Sequence, residues 1–259
     1  MQSVSLIGFG EAGSTFARAG HWGDSARAYD VQDKQSDYGA VGVAGCAALP
    51  DALQQSPAIL SLVTANQAMA VAKAASQSIA PGALFFDMNS VAPDTKYRAA
   101  EYIEKAQGRY VDVAIMAPVH PAELHVPLLL SGAYAAEGAA VLTDLGFDNI
   151  RVVDGKVGKA SSIKMIRSIM VKGMEALTAE MMLAAHEADV SEEVLESLGT
   201  EWTEKAAYNL ERMTTHGLRR AEEMEQVALT LDALGVEPLM TKGTIVRQRE
   251  MPNKEGWAK

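Results

Sequence analysis

The chain has almost no cysteine: Cys46 is alone among 259 residues. A single thiol excludes an internal disulfide framework and any metal site built from several thiolates. It also suits a reducing compartment, and the cytoplasm is the expected location. There is no run of Lys or Arg, and the formal net charge is -10 with both signs interspersed. No cationic track is offered to a polyanionic backbone, so nucleic acid is not an expected partner. Long apolar runs are missing too. None approaches the roughly 20 residues that cross a bilayer, so no membrane partner is expected. The sequence opens directly on a strand pattern, MQSVSLIGFG, with no basic segment ahead of an apolar leader. Internal repeats and low-complexity segments are absent.

The length suffices for two domains, each with its own apolar core. From Val4 to about Val153, short β-branched and aliphatic runs alternate with helical stretches, the pattern of a parallel sheet covered by helices. Candidate strands are 4–7, 26–29, 58–63, 83–86, 110–114 and 128–131. After about Gly158 the strand signals stop, and amphipathic stretches at 161–188, 192–209, 211–216 and 219–234 take over. Gly199, Gly217 and Gly235 fall where helix ends are expected. The fold class is therefore α/β: an N-terminal Rossmann-type doubly wound sheet over residues 1–157, followed by an all-α domain over 158–259. The 13 methionines read as adaptable core filling, chiefly in the helical half.

Gly8, Gly10 and Gly13 in LIGFGEAGSTFARAG form Gly-x-Gly-x-x-Gly between an apolar strand and an alanine-rich helix. The first glycine permits a tight turn, the second lets a pyrophosphate approach the backbone, and the third lets helix and strand pack closely. Amides at the helix N-terminus then face the phosphate charge. Phe9, Glu11 and Ala12 complete this candidate cofactor turn; a glycine-rich turn without a ligand is the plain alternative. Asp30 ends the next strand, where a carboxylate can accept hydrogen bonds from ribose hydroxyls and repel a 2'-phosphate. NAD is thus favoured over NADP, although Lys34 lies nearby.

With the second half beside the first, the chain resembles the β-hydroxyacid dehydrogenase superfamily, which includes 6-phosphogluconate and 3-hydroxyisobutyrate dehydrogenases. The family's second cofactor loop is similar to SLVTANQA around Leu62, Val63 and Thr64. Its Asp-x-Ser-Thr segment resembles Asp87 to Ser90, which implies that Asn89 and Ser90 lie toward the nicotinamide. The most specific match is GKVGKASSIKMIRS, similar to the family's Gly-x-x-Gly-x-Gly-x-x-x-Lys-x-x-x-Asn. The resemblance places Lys164 on the catalytic lysine, with Ser168 replacing the substrate-orienting Asn one turn later on the same helix face. Lys172 continues that face, either adding charge or simply solvated. A lysine can take the hydroxyl proton as a carbonyl forms, or return it in the reverse direction.

Elsewhere the family pattern changes. The Asp-Ala-Pro-Val-Ser-Gly-Gly substrate loop reads DVAIMAPVHP here: Asp112 matches, while Met116 stands at the serine and Ala117 and Pro118 at the glycines. Met116 and His120 are candidate substrate contacts; His120 and His125 are equally readable as loop histidines without a chemical role, and no metal is expected. The family's C-terminal Lys-Asp-Leu corresponds to Glu222, Glu223 and Met224, and HGLRRAEEMEQ reads most simply as a salt-bridged helix face. These departures resemble a divergent subgroup with an uncharacterised C-terminal domain.

The resemblance implies an NAD-dependent oxidoreductase. It would move hydride between nicotinamide and a small hydroxy acid or related alcohol or carbonyl, with Lys164 as general acid/base and Ser168 assisting. A small-molecule substrate and a second copy, forming a homodimer, are the implied partners. Imine reductases share the resemblance but commonly lack the lysine. A nicotinamide-binding sensor or scaffold without turnover is the alternative suggested by Met116, Ser168 and Glu222.

Overall fold

The alternation of apolar side chains along each strand sends them into two separate cores, one on each face of a sheet. The computed structural model describes residues 3–254, which divide into a unit ending at Lys164 and another beginning at Met165. The first contains β1 (Val4–Ile7), α1 (Glu11–Ala19), β2 (Ala26–Tyr29), α2 (Gln35–Ala40), β3 (Ala44–Gly45), α3 (Leu49–Leu53) and β4 (Ala58–Ser61). It continues through α4 (Ala68–Ala75), β5 (Leu84–Asp87), α5 (Pro93–Lys105), β6 (Arg109–Ile115), β7 (Leu128–Ser131), α6 (Ala135–Asp144) and β8 (Ile150–Val152). Along β5 and β6, Phe86, Val111 and Val113 enter one core with Leu6, Phe16 and Phe147. Phe85 and Tyr110 enter the other with Ile7, Ile59 and Ile103. Each large apolar side chain so buried contributes about 1.5–3 kcal/mol.

The sheet has eight strands in the order β3-β2-β1-β4-β5-β6-β7-β8. Strand order runs outward from β1 to β3, then reverses from β1 to β4, so a switch point lies beyond the carboxyl ends of β1 and β4. The glycine turn and the loop starting at Leu62 follow those two ends. All six candidate strands are present in this largely parallel sheet, with one departure: β7 pairs antiparallel with β6, while β8 pairs parallel with β7. Residues 116–127 carry only a short turn of 3-10 helix at Glu123–His125, with no α-helix to cross over, and the chain folds straight back. The short strands β3 and β8 were too brief and too exposed to register in the sequence.

Helix α7 (Lys159–Glu187) starts in the first unit and runs into the second, which adds α8 (Ser191–Leu198), α9 (Trp202–Ala233) and α10 (Leu239–Glu250). Gly199 ends α8 as expected. Gly217 does not end a helix: α9 passes through it unbroken and merges the stretches at 211–216 and 219–234 with the end of the one at 192–209. A Cβ there would lie 2.2 Å from the Gln248 carbonyl oxygen and 2.8 Å from Pro252, so this glycine lets α9 approach the segment that closes α10. Met165 and Met224 pack with Val227, Leu231 and Ile245, and Met213 and Met251 with Ala176 and Ala179. These methionines fill the helical core. No helix of the described residues is long and apolar enough to cross a membrane.

Candidate functional site

Gly8 sits at φ +93°, and a Cβ on it would fall 2.5 Å from the Leu62 carbonyl oxygen. The β1–α1 turn is therefore pressed against the loop after β4, where only glycine fits. Gly13 meets the other requirement: a Cβ there would lie 2.5 Å from the Gly8 carbonyl oxygen, so α1 packs directly over its own entry turn. Gly10, at the N-cap of α1, is different, with nothing within 4 Å of a Cβ. Open space thus adjoins the helix N-terminus, whose first N–H groups have no intrahelical partner. Glu11 and Ala12 begin that first turn. This arrangement fits a pyrophosphate.

The Asp30 carboxylate accepts the Phe9 N–H at Oδ2, 2.7 Å, and the Gln32 N–H at Oδ1, 2.9 Å. It thereby ties the glycine turn to the end of β2. A cleft of about 210 Å³ opens beside it, lined by Asp30, Val31, Lys34, Tyr38, Cys46 and Ala47 among others. Burial, reinforced by the nearby Asp30 charge, pushes the Tyr38 phenol up to about 12. Burial also raises the Cys46 thiol. Lys34 lies 3.4 Å from the Asp37 carboxylate.

The loop after β4 is joined to the segment after β5. Leu62 donates its N–H to the Ile7 carbonyl at 2.8 Å, and Val63 donates to Asn89 Oδ1 at 2.7 Å. Thr64 bonds through its hydroxyl to Asn66 Oδ1. The Asn89 amide nitrogen donates to Ser61 Oγ and to Asp87 Oδ1. Beside Asn89, Ser90 Oγ accepts a hydrogen bond from Lys164 Nζ. Asp30, Phe9, Gly8, Leu62, Val63, Asn89, Ser90 and Lys164 thus form one connected series.

Two candidate substrate residues lie elsewhere. Met116 is half-buried against the apolar cluster of Ala114, Leu129, Val153 and Ala160, and its N–H donates to the Pro127 carbonyl. His120, joined to Pro121 by a cis peptide bond, places Nε2 2.9 Å from Thr15 Oγ1 on α1, which brings it to the helix that the glycine turn opens. Ser168 is buried one turn after Lys164 and belongs to the second unit. Lys172 is not solvated: it is buried and paired with Glu223 at 2.6 Å. Arg220 is likewise drawn inward, its guanidinium engaging both oxygens of buried Glu175, so only part of the HGLRR face is exposed. His125 pairs with Asp148 on the surface.

Sequence reasoning missed a buried network beneath this series. Asp87 and Asp112 are register partners on β5 and β6, both fully buried. Lys96 Nζ, on α5, lies 2.9 Å from Asp87 Oδ1 and 3.6 Å from Asp112 Oδ1. Tyr110 donates to Asp87 Oδ2 at 2.5 Å, and burial beside that carboxylate raises the phenol well above its ordinary value. Asp112 in turn accepts the N–H groups of Gly158 and Ser161, at 3.0 and 3.1 Å, and the Ser161 hydroxyl at 2.6 Å. It thereby caps the N-terminus of α7, a favourable place for a carboxylate. Two aspartates in the same pleat of adjacent buried strands were the available signal, since such a pair requires a cation.

A glycine-rich turn at a switch point, an acidic strand end and an open helix N-terminus define a Rossmann-type dinucleotide-binding protein. Residues 3–137 match the family described as the NAD binding domain of 6-phosphogluconate dehydrogenase, and residues 185–251 match a domain of unknown function, DUF1932. The chain belongs to this 6-phosphogluconate dehydrogenase-like NAD-binding family, with a DUF1932 domain toward its C-terminus. A conserved hypothetical protein from Sinorhizobium meliloti 1021 is 34% identical, with 99% of this chain and 90% of that one covered and a TM-score of 0.78. MTH1747, a conserved protein of unknown function reported as structurally similar to 3-hydroxyacid dehydrogenases, is 30% identical over 99% of both chains, TM-score 0.75. The 3-hydroxyisobutyrate dehydrogenase of Mycobacterium tuberculosis shares the fold, with a TM-score of 0.80 at 14% identity over 100% of this chain and 96% of that one.

Proposed function

We propose that the chain is an NAD-dependent oxidoreductase acting on a small hydroxy acid or a related alcohol or carbonyl compound, with Lys164 as its general acid/base. The observation that supports this reading is the Lys164–Ser90 hydrogen bond, which puts an amine, a group chemically able to move a proton, at the end of the series leading from the glycine turn. The nicotinamide supplies hydride acceptance or donation when bound. The glycine turn and α1 N-terminus hold the phosphates, Asp30 the adenosine ribose, and Asn89 with Ser90 the region toward the nicotinamide. In oxidation, the substrate's carbinol C–H pair leaves as hydride while Lys164 Nζ, in its neutral form, takes the hydroxyl proton. Reduction returns that proton. Ser168 is proposed to assist in orienting the substrate, and His120 and Met116 to shape its loop.

Asp30 favours NAD because a 2'-phosphate would meet its carboxylate, and the nearest lysine, Lys34, is paired with Asp37. A homodimer is proposed as the working form: Ile166, Met170 and Leu177 stay exposed at helical spacing on α7, an apolar strip suited to a partner. The test is NADH titration by fluorescence followed by a screen of hydroxy acids, alcohols and carbonyls. Tight NADH binding with turnover reduced by about 10²–10⁴-fold in Lys164→Ala supports the proposal. Dinucleotide binding without turnover on any substrate class would favour a sensor instead.

A further inference from the structure

Lys96 is fully buried, and so are both carboxylates near its ammonium group. Each carboxylate controls a different part of the site. Asp87 Oδ1 accepts the backbone N–H of Asn89 at 3.0 Å and its side-chain amide at 2.7 Å, fixing the side chain whose oxygen receives the Val63 N–H. Asp112 accepts the N–H groups of Gly158 and Ser161 at the start of α7, and its Oδ1 lies 3.6 Å from the same Lys96 ammonium. Lys96 Nζ also donates to the Asp87 carbonyl oxygen, just before the segment carrying Asn89 and Ser90. The other side chains bonded to the two carboxylates are the Tyr110 hydroxyl and the Asn89 amide, on Asp87, and the Ser131 and Ser161 hydroxyls, on Asp112. None of these supplies positive charge, so Lys96 is the cation that lets two neighbouring carboxylates both act as acceptors.

We propose that Lys96 is a positioning residue that locks the Asn89–Val63 cofactor loop and the first turn of α7 into one arrangement, and so sets Lys164 against Ser90. It touches neither cofactor nor substrate and acts through Asp87 and Asp112. Its role in catalysis rests on the nicotinamide reading above; its mechanical coupling of loop and helix does not.

The experiment compares wild type, Lys96→Met and Lys96→Met/Asp112→Asn, the last removing one carboxylate charge while keeping an oxygen acceptor for the α7 amides. Amide hydrogen exchange and NADH fluorescence titration are measured on all three. In folded Lys96→Met, protection of the Val63, Gly158 and Ser161 amides is expected to fall together by tenfold or more relative to Leu62, whose partner is the Ile7 carbonyl. NADH affinity is expected to fall about tenfold and to recover at least in part in the double variant. If Lys96→Met does not fold, a double variant that folds and binds NADH supports the charge argument, and one that also fails to fold, or folds without binding, overturns it. Protection lost uniformly across the sheet, or unchanged at Val63 and Gly158, would also overturn the proposal. Absence of NADH binding by the wild type would instead reject the nicotinamide reading, leaving the exchange comparison to decide the coupling.

Discussion

Lys164 Nζ donates a hydrogen bond to Ser90 Oγ, joining the start of α7 to the segment after β5 across 74 residues of sequence. The contact holds the Lys164 side chain in place before any substrate arrives, and positioning of this kind lowers a reaction barrier. Ser90→Ala removes the acceptor without removing the proposed base. Its expected effect is a fall in kcat of about tenfold, larger than any loss of NADH affinity. Steady-state kinetics beside an NADH titration separates the two quantities, and an unchanged kcat would detach Ser90 from the chemistry.

Gly8 and Gly10 are expected to fail differently. Gly8→Ala puts a methyl 2.5 Å from the Leu62 carbonyl oxygen at a φ of +93°, so the folded chain itself suffers. The backbone conformation alone costs about 1–2 kcal/mol, before the clash is counted. Gly10→Ala meets open space, so thermal stability should stay near wild type while NADH affinity drops, because the methyl occupies the approach of the pyrophosphate. Melting curves and NADH titrations on both variants check this. Equal loss of stability in the two would contradict the assignment of Gly10 to ligand approach.

Asp30 has a structural role and, in the proposed function, a selective one. Asp30→Ala loses the acceptor for the Phe9 and Gln32 amides as well as the repulsion of a 2'-phosphate. Wild type is expected to bind NADH at least tenfold more tightly than NADPH, and the variant to lose most of that preference, one tenfold step corresponding to about 1.4 kcal/mol. Competition titrations with both dinucleotides measure it. Tighter NADPH binding by wild type would refute the NAD assignment.

Tyr38 gives the alkaline limb of stability a specific source. Its folded phenol titrates at about 12 against an ordinary 10.0, because of burial first and the Asp30 charge second. Between those values the folded chain keeps a proton that the unfolded chain has released, so the contribution is fully present below pH 10 and is lost as pH rises through about 12. Urea unfolding at pH 9, 10 and 11 should show a steeper decline for wild type than for Tyr38→Phe. Parallel declines would mean that other groups govern the alkaline limb.

The sequence carried the parts of this molecule that depend on local pattern. Short β-branched and aliphatic runs marked six strands, and the glycine spacing marked the turn whose close approaches the structure displays at Gly8 and Gly13. What it did not reveal depends on contacts between distant segments. Gly217 looked like a helix end because glycine is a poor helix former, yet its role is to admit the Gln248 carbonyl against α9. The antiparallel turn of β7 depends on a loop with no crossover helix. Lys96 reads as an ordinary helical lysine until β5 and β6 are paired and two aspartates fall in register beside it. Lys172 similarly looked like a continuation of the Lys164 face and is instead neutralised by Glu223.

The most direct test is NAD reduction by wild type and Lys164→Ala over a panel of hydroxy acids and alcohols, with dinucleotide affinity measured on both proteins. The expected result is turnover by wild type on at least one member, and a loss of about 10²–10⁴-fold in the variant, the range for a positioned acid/base group, at nearly unchanged NADH affinity. Equal turnover by the two proteins, or dinucleotide binding without turnover on any member of the panel, would contradict the role assigned to Lys164.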